Sequence, residues 1–131
     1  MRVGFIGLGR MGAPMALNVL QGGHQVGVHD VRREAAAELE AAGAVWVGSA
    51  ADLASGADVL VTMLPGPPQV EGVMLGENGA FYALRPGSTW IDMSTSTPAA
   101  GRRAAELGRG VAVIDAPVSG MVKGAVSGRL Q

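Results

Sequence analysis

Cysteine is absent from the chain. Disulfides, thiolate nucleophiles and cysteine-ligated zinc are thereby excluded, and the composition fits a reducing compartment. Aromatic residues are scarce at 4%, whereas hydrophobic residues reach 48%. A core must be built chiefly from Val, Leu, Ala, Ile and Met, as buried parallel sheets usually are. Net charge is nearly absent too, −1 at pH 7, so neither nucleic acid nor an acidic membrane is favoured as a partner. No apolar run approaches the ~20 residues that span a bilayer. The first apolar segment starts at the N-terminus, so no signal peptide is expected. A cytoplasmic chain is expected, and its 131 residues make one domain, small for a complete two-substrate enzyme.

Glycine is plentiful, with 21 residues spread among turns. One cluster stands apart: Gly7-Leu8-Gly9-Arg10-Met11-Gly12. Before it, Met1 to Ile6 alternates and then runs apolar, as a short buried strand does. After it, Met11, Met15 and Val19 recur at helical spacing. A G-x-G-x-x-G pattern between a strand and a helix is a dinucleotide-binding signal, which it is not in isolation. Gly7 permits the tight turn, Gly9 lets a pyrophosphate approach the backbone, and Gly12 allows close helix–strand packing. The helix N-terminus then offers unpaired N–H groups and a positive dipole end to phosphates. A second apolar alternation, 25–29, ends in Asp30, where an acid accepts hydrogen bonds from the adenosine ribose diol.

Strand and helix signals alternate along the remainder, the pattern of a parallel sheet covered on both faces. Gly22-Gly23 closes the first helix, 32–41 reads as a second helix closed by Gly43, and 44–47 as a third strand. Ser49 is placed to cap a helical turn over 50–54. Strands follow at 57–64, 89–93 and 111–115, with helices at 69–75 and 98–107. Pro65-Gly66-Pro67-Pro68 reads as a loop. The last segment, Met121 to Gln131, has weak periodicity and resembles the start of an unfinished element. Six strand signals predict an α/β fold, a doubly wound, mainly parallel Rossmann sheet of order 3-2-1-4-5-6 with helices on both faces. Ligands bind such sheets beyond the carboxyl ends of the strands. There the loops 7–12, 30, 64–68, 94–97 and 117–120 could converge on one crevice. Thr97, before Pro98, fits a helix cap better than a ligand contact.

Taken together, Phe5 to Ala16, Met63-Leu64-Pro65, Ile91-Asp92-Met93-Ser94-Thr95 with Pro98, and Asp115 to Gly120 resemble the β-hydroxyacid dehydrogenases of the 3-hydroxyisobutyrate dehydrogenase type. The resemblance is collinear over nearly the whole chain. It implies an NAD-dependent oxidoreductase acting on a small 3-hydroxyacid and its semialdehyde. Gly7, Gly9 and Gly12 would hold the pyrophosphate, with amides from Leu8, Arg10 and Met11. Asp30 would take the ribose, as in NAD-preferring members. Leu64, Pro65 and Gln69 would cover the cofactor, Thr95 would stand near the nicotinamide, and Ser119 and Gly120 would bind the substrate carboxylate. Met121 replaces a glycine common in the family's substrate loop, and Ser96 replaces an aliphatic residue.

The resemblance places the family's proton-transferring lysine on a long helix beyond Gln131, so no catalytic residue is expected within 1–131. Lys123, the single lysine, does not match that position. His24 and His29 flank the second strand on the adenosine side and are read neither as catalytic groups nor as metal ligands. The resemblance further implies an all-helical second domain, absent from this sequence, that completes the pocket and carries most of a homo-oligomeric contact. The chain alone would bind NAD without turnover. Two alternatives stand beside this reading: an NADP-linked semialdehyde or glyoxylate reductase of the same family, and a non-catalytic dinucleotide-binding module.

Overall fold

Strand β1 (Arg2–Ile6) is buried from Val3 onward, and a strand hidden on both faces needs a covering layer on each. It lies between β2 (Gln25–His29) and β4 (Val59–Thr62), parallel to both. With β3 (Val45–Trp46), β5 (Thr89–Asp92) and β6 (Ala112–Asp115), the sheet runs β3-β2-β1-β4-β5-β6, parallel throughout. The expected order is borne out. The computed structural model describes residues 1–94, 99–118 and 121–130.

Alternate strand residues feed two separate cores, as period-two side chains must. Val3, Phe5, Val28 and Val61 pack with Met15 and Ala16 of α1 (Gly12–Gln21) and Leu39 of α2 (Ala37–Ala41). Ile6, Leu60 and Trp90 pack on the other side with Leu53 of α3 (Ala50–Ser55) and Val70 and Met74 of α4 (Pro67–Leu75). Ala100 and Ala104 of α5 (Ala99–Glu106) complete that second core.

Several boundaries differ from expectation, each for a local reason. The helix expected over 32–41 opens as a 3-10 turn, Arg33–Ala36, before α2. Strand β3 keeps only two residues, fitting a short edge that hides little area. Pro67 opens α4 rather than extending the preceding loop, because a proline at the first helical position gives up an N–H that has no partner there anyway. Ser49 caps α3 as expected, its hydroxyl accepting from the Asp52 amide at 3.0 Å. A 3-10 turn at Ala80–Ala83, not anticipated, buries Ala80 and Phe81 against Leu53 and Trp90. The segment expected to be the start of an unfinished element, Met121 to Gln131, carries a helix, α6 (Met121–Ser127), followed by Gly128 at φ +71. It packs on α1, where the Asn18 side-chain amide donates to the Ala125 carbonyl at 2.6 Å. That contact supplies the order which the segment's own weak periodicity does not announce. Gln131 itself lies outside the described residues, as does the cap expected at Thr97.

One buried polar chain ties β4 to β5. Trp90 Nε1 donates to Thr62 Oγ1 at 3.0 Å, and that hydroxyl donates to Asp92 Oδ1 at 2.9 Å. Asp92 Oδ1 also accepts from the Ser94 amide at 3.1 Å, and Ser94 Oγ accepts from the Leu64 amide at 2.8 Å. Thr62→Val keeps the shape but strands the indole N–H, and a buried unsatisfied donor costs about 1–3 kcal/mol. Urea unfolding of Thr62→Val is expected to show that loss; a change under about 0.5 kcal/mol, the scale of inert surface substitutions, would refute it.

Candidate functional site

After Ile6 the chain reverses at Gly7, φ +97, a region that side chains with a Cβ rarely enter. The Gly7 amide donates to the His29 carbonyl at 3.1 Å, so the turn starts anchored to β2. A Cβ on Gly7 would overlap the Met63 carbonyl, and one on Gly12 the Gly7 carbonyl. Gly12 thus permits close approach to the turn itself, a sharper reason than packing on the strand. Beyond Gly9 there is open space.

Helix α1 begins at Met11 and Gly12 without a side-chain cap. The amides of Ala13 and Met15 close bonds to Gly9 and Met11. Those of Arg10, Met11 and Gly12 meet no acceptor among the described residues. Free amides at the positive end of a helix dipole form an anion site.

Leu8 departs from its expected role. Its side chain is buried, and its amide donates to Asp30 Oδ2 at 2.7 Å. That amide is already engaged inside the protein, so it is not one of the groups open to a phosphate. Asp30 Oδ1 accepts from the Arg32 amide at 2.8 Å, with Arg32 Nε 3.8 Å away. A carboxylate has about four lone-pair sites, so two backbone donors leave Asp30 capacity for a ligand hydroxyl.

The sheet brings these parts into one cleft of about 680 Å³, within the usual range for small-molecule sites. Gly7, Gly9, Arg10, Met11 and Gly12 form one wall, and Asp30 stands beside them. Leu64, Pro65 and Gln69 line the facing wall, where β4 passes into α4. Nine of the expected cofactor residues therefore meet, Leu8 being buried behind them. Thr95, Ser119, Gly120 and Gln131 lie outside the described residues. Lys123, the single lysine, is exposed on α6 and is not among the residues that line the cleft. Among the described residues no group of three metal-ligating side chains converges, and no helix is long and apolar enough to cross a membrane.

Further cleft residues escaped the sequence reading. His29 contributes its ring, fixed by Nδ1 at 2.8 Å from the Val47 carbonyl. That partner accepts only, so Nδ1 carries the proton. Behind His29, Trp46 lies 5.2 Å away ring to ring, with the Arg33 guanidinium 4.5 Å over the indole. Gly72 and Val73 join Gln69 at i, i+3 and i+4 spacing on α4. That spacing marks one helix face, and all three residues lie within the helix expected over 69–75; what the sequence did not show is that this face turns to the cleft.

Residues 2–131 match the family described as the NAD binding domain of 6-phosphogluconate dehydrogenase. The chain belongs to that family. The resemblance to β-hydroxyacid dehydrogenases is borne out as well. An NAD-dependent L-serine dehydrogenase of Pseudomonas aeruginosa is 44% identical over 131 residues, covering 98% of this chain and 44% of that protein. The mitochondrial 3-hydroxyisobutyrate dehydrogenase of Homo sapiens is 43% identical over 130 residues, covering 98% of this chain and 39% of the relative. The solved Mycobacterium tuberculosis 3-hydroxyisobutyrate dehydrogenase with L-serine superimposes with a TM-score of 0.88 at 37% identity, covering 98% of this chain and 44% of that one. The chain spans less than half the length of these family members.

The glycines of this NAD-binding-domain turn should separate by substitution. Gly12→Ala forces a Cβ into a carbonyl and is expected to cost about 1–3 kcal/mol in urea unfolding, the scale of steric strain and overpacking. Gly9→Ala meets nothing and should stay within about 0.5 kcal/mol of the parent chain. Equal losses at both positions would contradict the geometry.

Proposed function

We propose that this chain is the cofactor-binding portion of an NAD-dependent oxidoreductase acting on a small 3-hydroxyacid and its semialdehyde. One observation carries the reading: the free amides of Arg10, Met11 and Gly12 open onto the same cleft as the Asp30 carboxylate. Donors for a pyrophosphate and an acceptor for a ribose diol are the two things an ADP-ribose needs. The space beyond Gly9 and the volume of the cleft fit that group. The relatives' names, dehydrogenases and reductases of hydroxyacids and semialdehydes, support the substrate class.

When bound, NAD supplies or accepts the hydride. The chain's own residues do the binding. The α1 amides and dipole hold the pyrophosphate, and Asp30 accepts from the ribose hydroxyls. Leu64, Pro65 and Gln69 exclude water from the facing side. In this proposal Thr95 stands at the nicotinamide end, and Ser119 and Gly120 take the substrate carboxylate. The proton exchanged with the substrate oxygen needs a group within hydrogen-bond reach. That role falls to a lysine beyond Gln131, so 1–131 alone binds cofactor without turnover.

An NADP-linked reductase is the second reading, favoured by the Arg32 guanidinium beside Asp30, which would face a 2′-phosphate. Calorimetric titration decides between them. NADH is expected to bind about tenfold or more tightly than NADPH, a difference near 1.4 kcal/mol. Asp30→Ala should narrow that ratio. Tighter binding of NADPH to the parent chain would overturn the NAD assignment.

A further inference from the structure

Helix α4 starts at Pro67, beside Leu64 and Pro65, and its nine residues carry the chain about 13 Å along the cleft at 1.5 Å per residue. The 3-10 turn that follows it packs on α3, sharing the cluster of Leu53, Ala54, Ala80 and Phe81. Helix α3 descends from β3, so the end of α4 lies on the β2–β3 side, where Asp30, Val31 and Ala50 also line the cleft. That is the adenosine side of the binding mode proposed above.

The wall there suits a flat heterocycle. Gly72 faces open space where a side chain would stand, with Val73 next to it and Val31, 94% exposed, lining the same cleft. The far end is closed by Glu77 and Asn78. They occupy the two central positions of a turn in which the Gly79 amide donates to the Gly76 carbonyl at 3.0 Å. Asn78 has φ +56, the one positive value outside glycine among the described residues; turns with positive φ at that place take Gly or Asn. A Cβ on Gly76 would crowd the Gly72 carbonyl and one on Gly79 the Met74 carbonyl, so the turn is clamped to the helix end. Neither the Glu77 carboxylate nor the Asn78 amide has a partner among the described residues. The cleft therefore ends in an acceptor-only group beside a group that both donates and accepts.

Resting on the dinucleotide reading above, we propose that Glu77 and Asn78 are specificity-determining residues that read the amino-bearing edge of the adenine base. Adenine presents a 6-amino donor next to ring-nitrogen acceptors, and a side-chain amide pairs with that edge through two bonds. On the N6/N7 side of that edge the Glu77 carboxylate accepts from the amino group, whereas a base with a carbonyl at position 6 offers only acceptors there, O6 and N7. Hypoxanthine is such a base, nearly identical in outline, with an oxygen at position 6 and its added proton on N1, away from the N7 side.

The test compares NADH with reduced nicotinamide hypoxanthine dinucleotide, titrated into the 131-residue chain by calorimetry. NADH is expected to bind about 3- to 10-fold more tightly, the effect of one or two net hydrogen bonds. In Glu77→Ala/Asn78→Gly the ratio should fall toward one. Glycine keeps the positive φ accessible, so the turn survives, and circular dichroism checks the fold. Equal affinity of the parent chain for both dinucleotides overturns the proposal and leaves the dinucleotide reading standing. So does a preference that persists unchanged in the double variant. Failure of both dinucleotides to bind overturns the underlying reading, and this proposal with it.

Discussion

The hydrogen bond from the Leu8 amide to the Asp30 carboxylate, 2.7 Å long, joins the two loops on which the cleft depends. Parallel pairing sets Ile6 level with His29, so the chain leaves β1 and β2 at the same height. The Gly7 amide then bonds to the His29 carbonyl, and Asp30 reaches back to Leu8. Between these two ties the glycine turn cannot shift against β2, and the free amides that follow point at a fixed place. Asp30 thus holds the site together and also lines it. Removing it mixes a structural loss with a lost ligand contact, whereas a Cβ added at Gly9, which would meet nothing in the protein, isolates the approach of the ligand.

A second tie does the same on the other side of the switch point. Trp90, Thr62, Asp92 and Ser94 form a buried chain that ends on the Leu64 amide, so the start of the β4 loop is held from beneath. The cleft is framed by two polar anchors, one against β2 and one against β5, with apolar cores beneath. Its walls are set before any ligand arrives, which reduces the ordering that binding requires.

Much of this architecture was legible in the residues, because its strongest signals are local. The glycine spacing, the apolar runs and the closing Gly22-Gly23 report backbone requirements that neighbouring residues reveal. They yield the strand order and most of the cofactor wall. What escaped depends on partners distant in the chain. Leu8 offers an amide on paper, but Asp30, far along the sequence, has taken it. His29 reads as a strand end until Val47 and Trp46 fix its ring. Pro67 reads as a loop residue because a proline both breaks helices and begins them. Gly72 and Val73 lay within the helix expected over 69–75, but only the packing of the fold turns that face to the cleft. The helix α6 has little periodicity of its own and is specified by Asn18 and the apolar surface of α1.

The central claim is that free amides at the start of α1 and the Asp30 carboxylate together hold an ADP-ribose. Amide chemical shifts of the 15N-labelled chain, followed during titration with ADP-ribose, address it most directly. The account predicts large, saturable shifts at Arg10, Met11 and Gly12 and at the Asp30–Arg32 loop. Smaller shifts are expected at Leu8, whose amide keeps its bond to Asp30. Shifts absent from the α1 turn, or gathered instead around the separate recess at Arg2, His24 and Asp52, would contradict it.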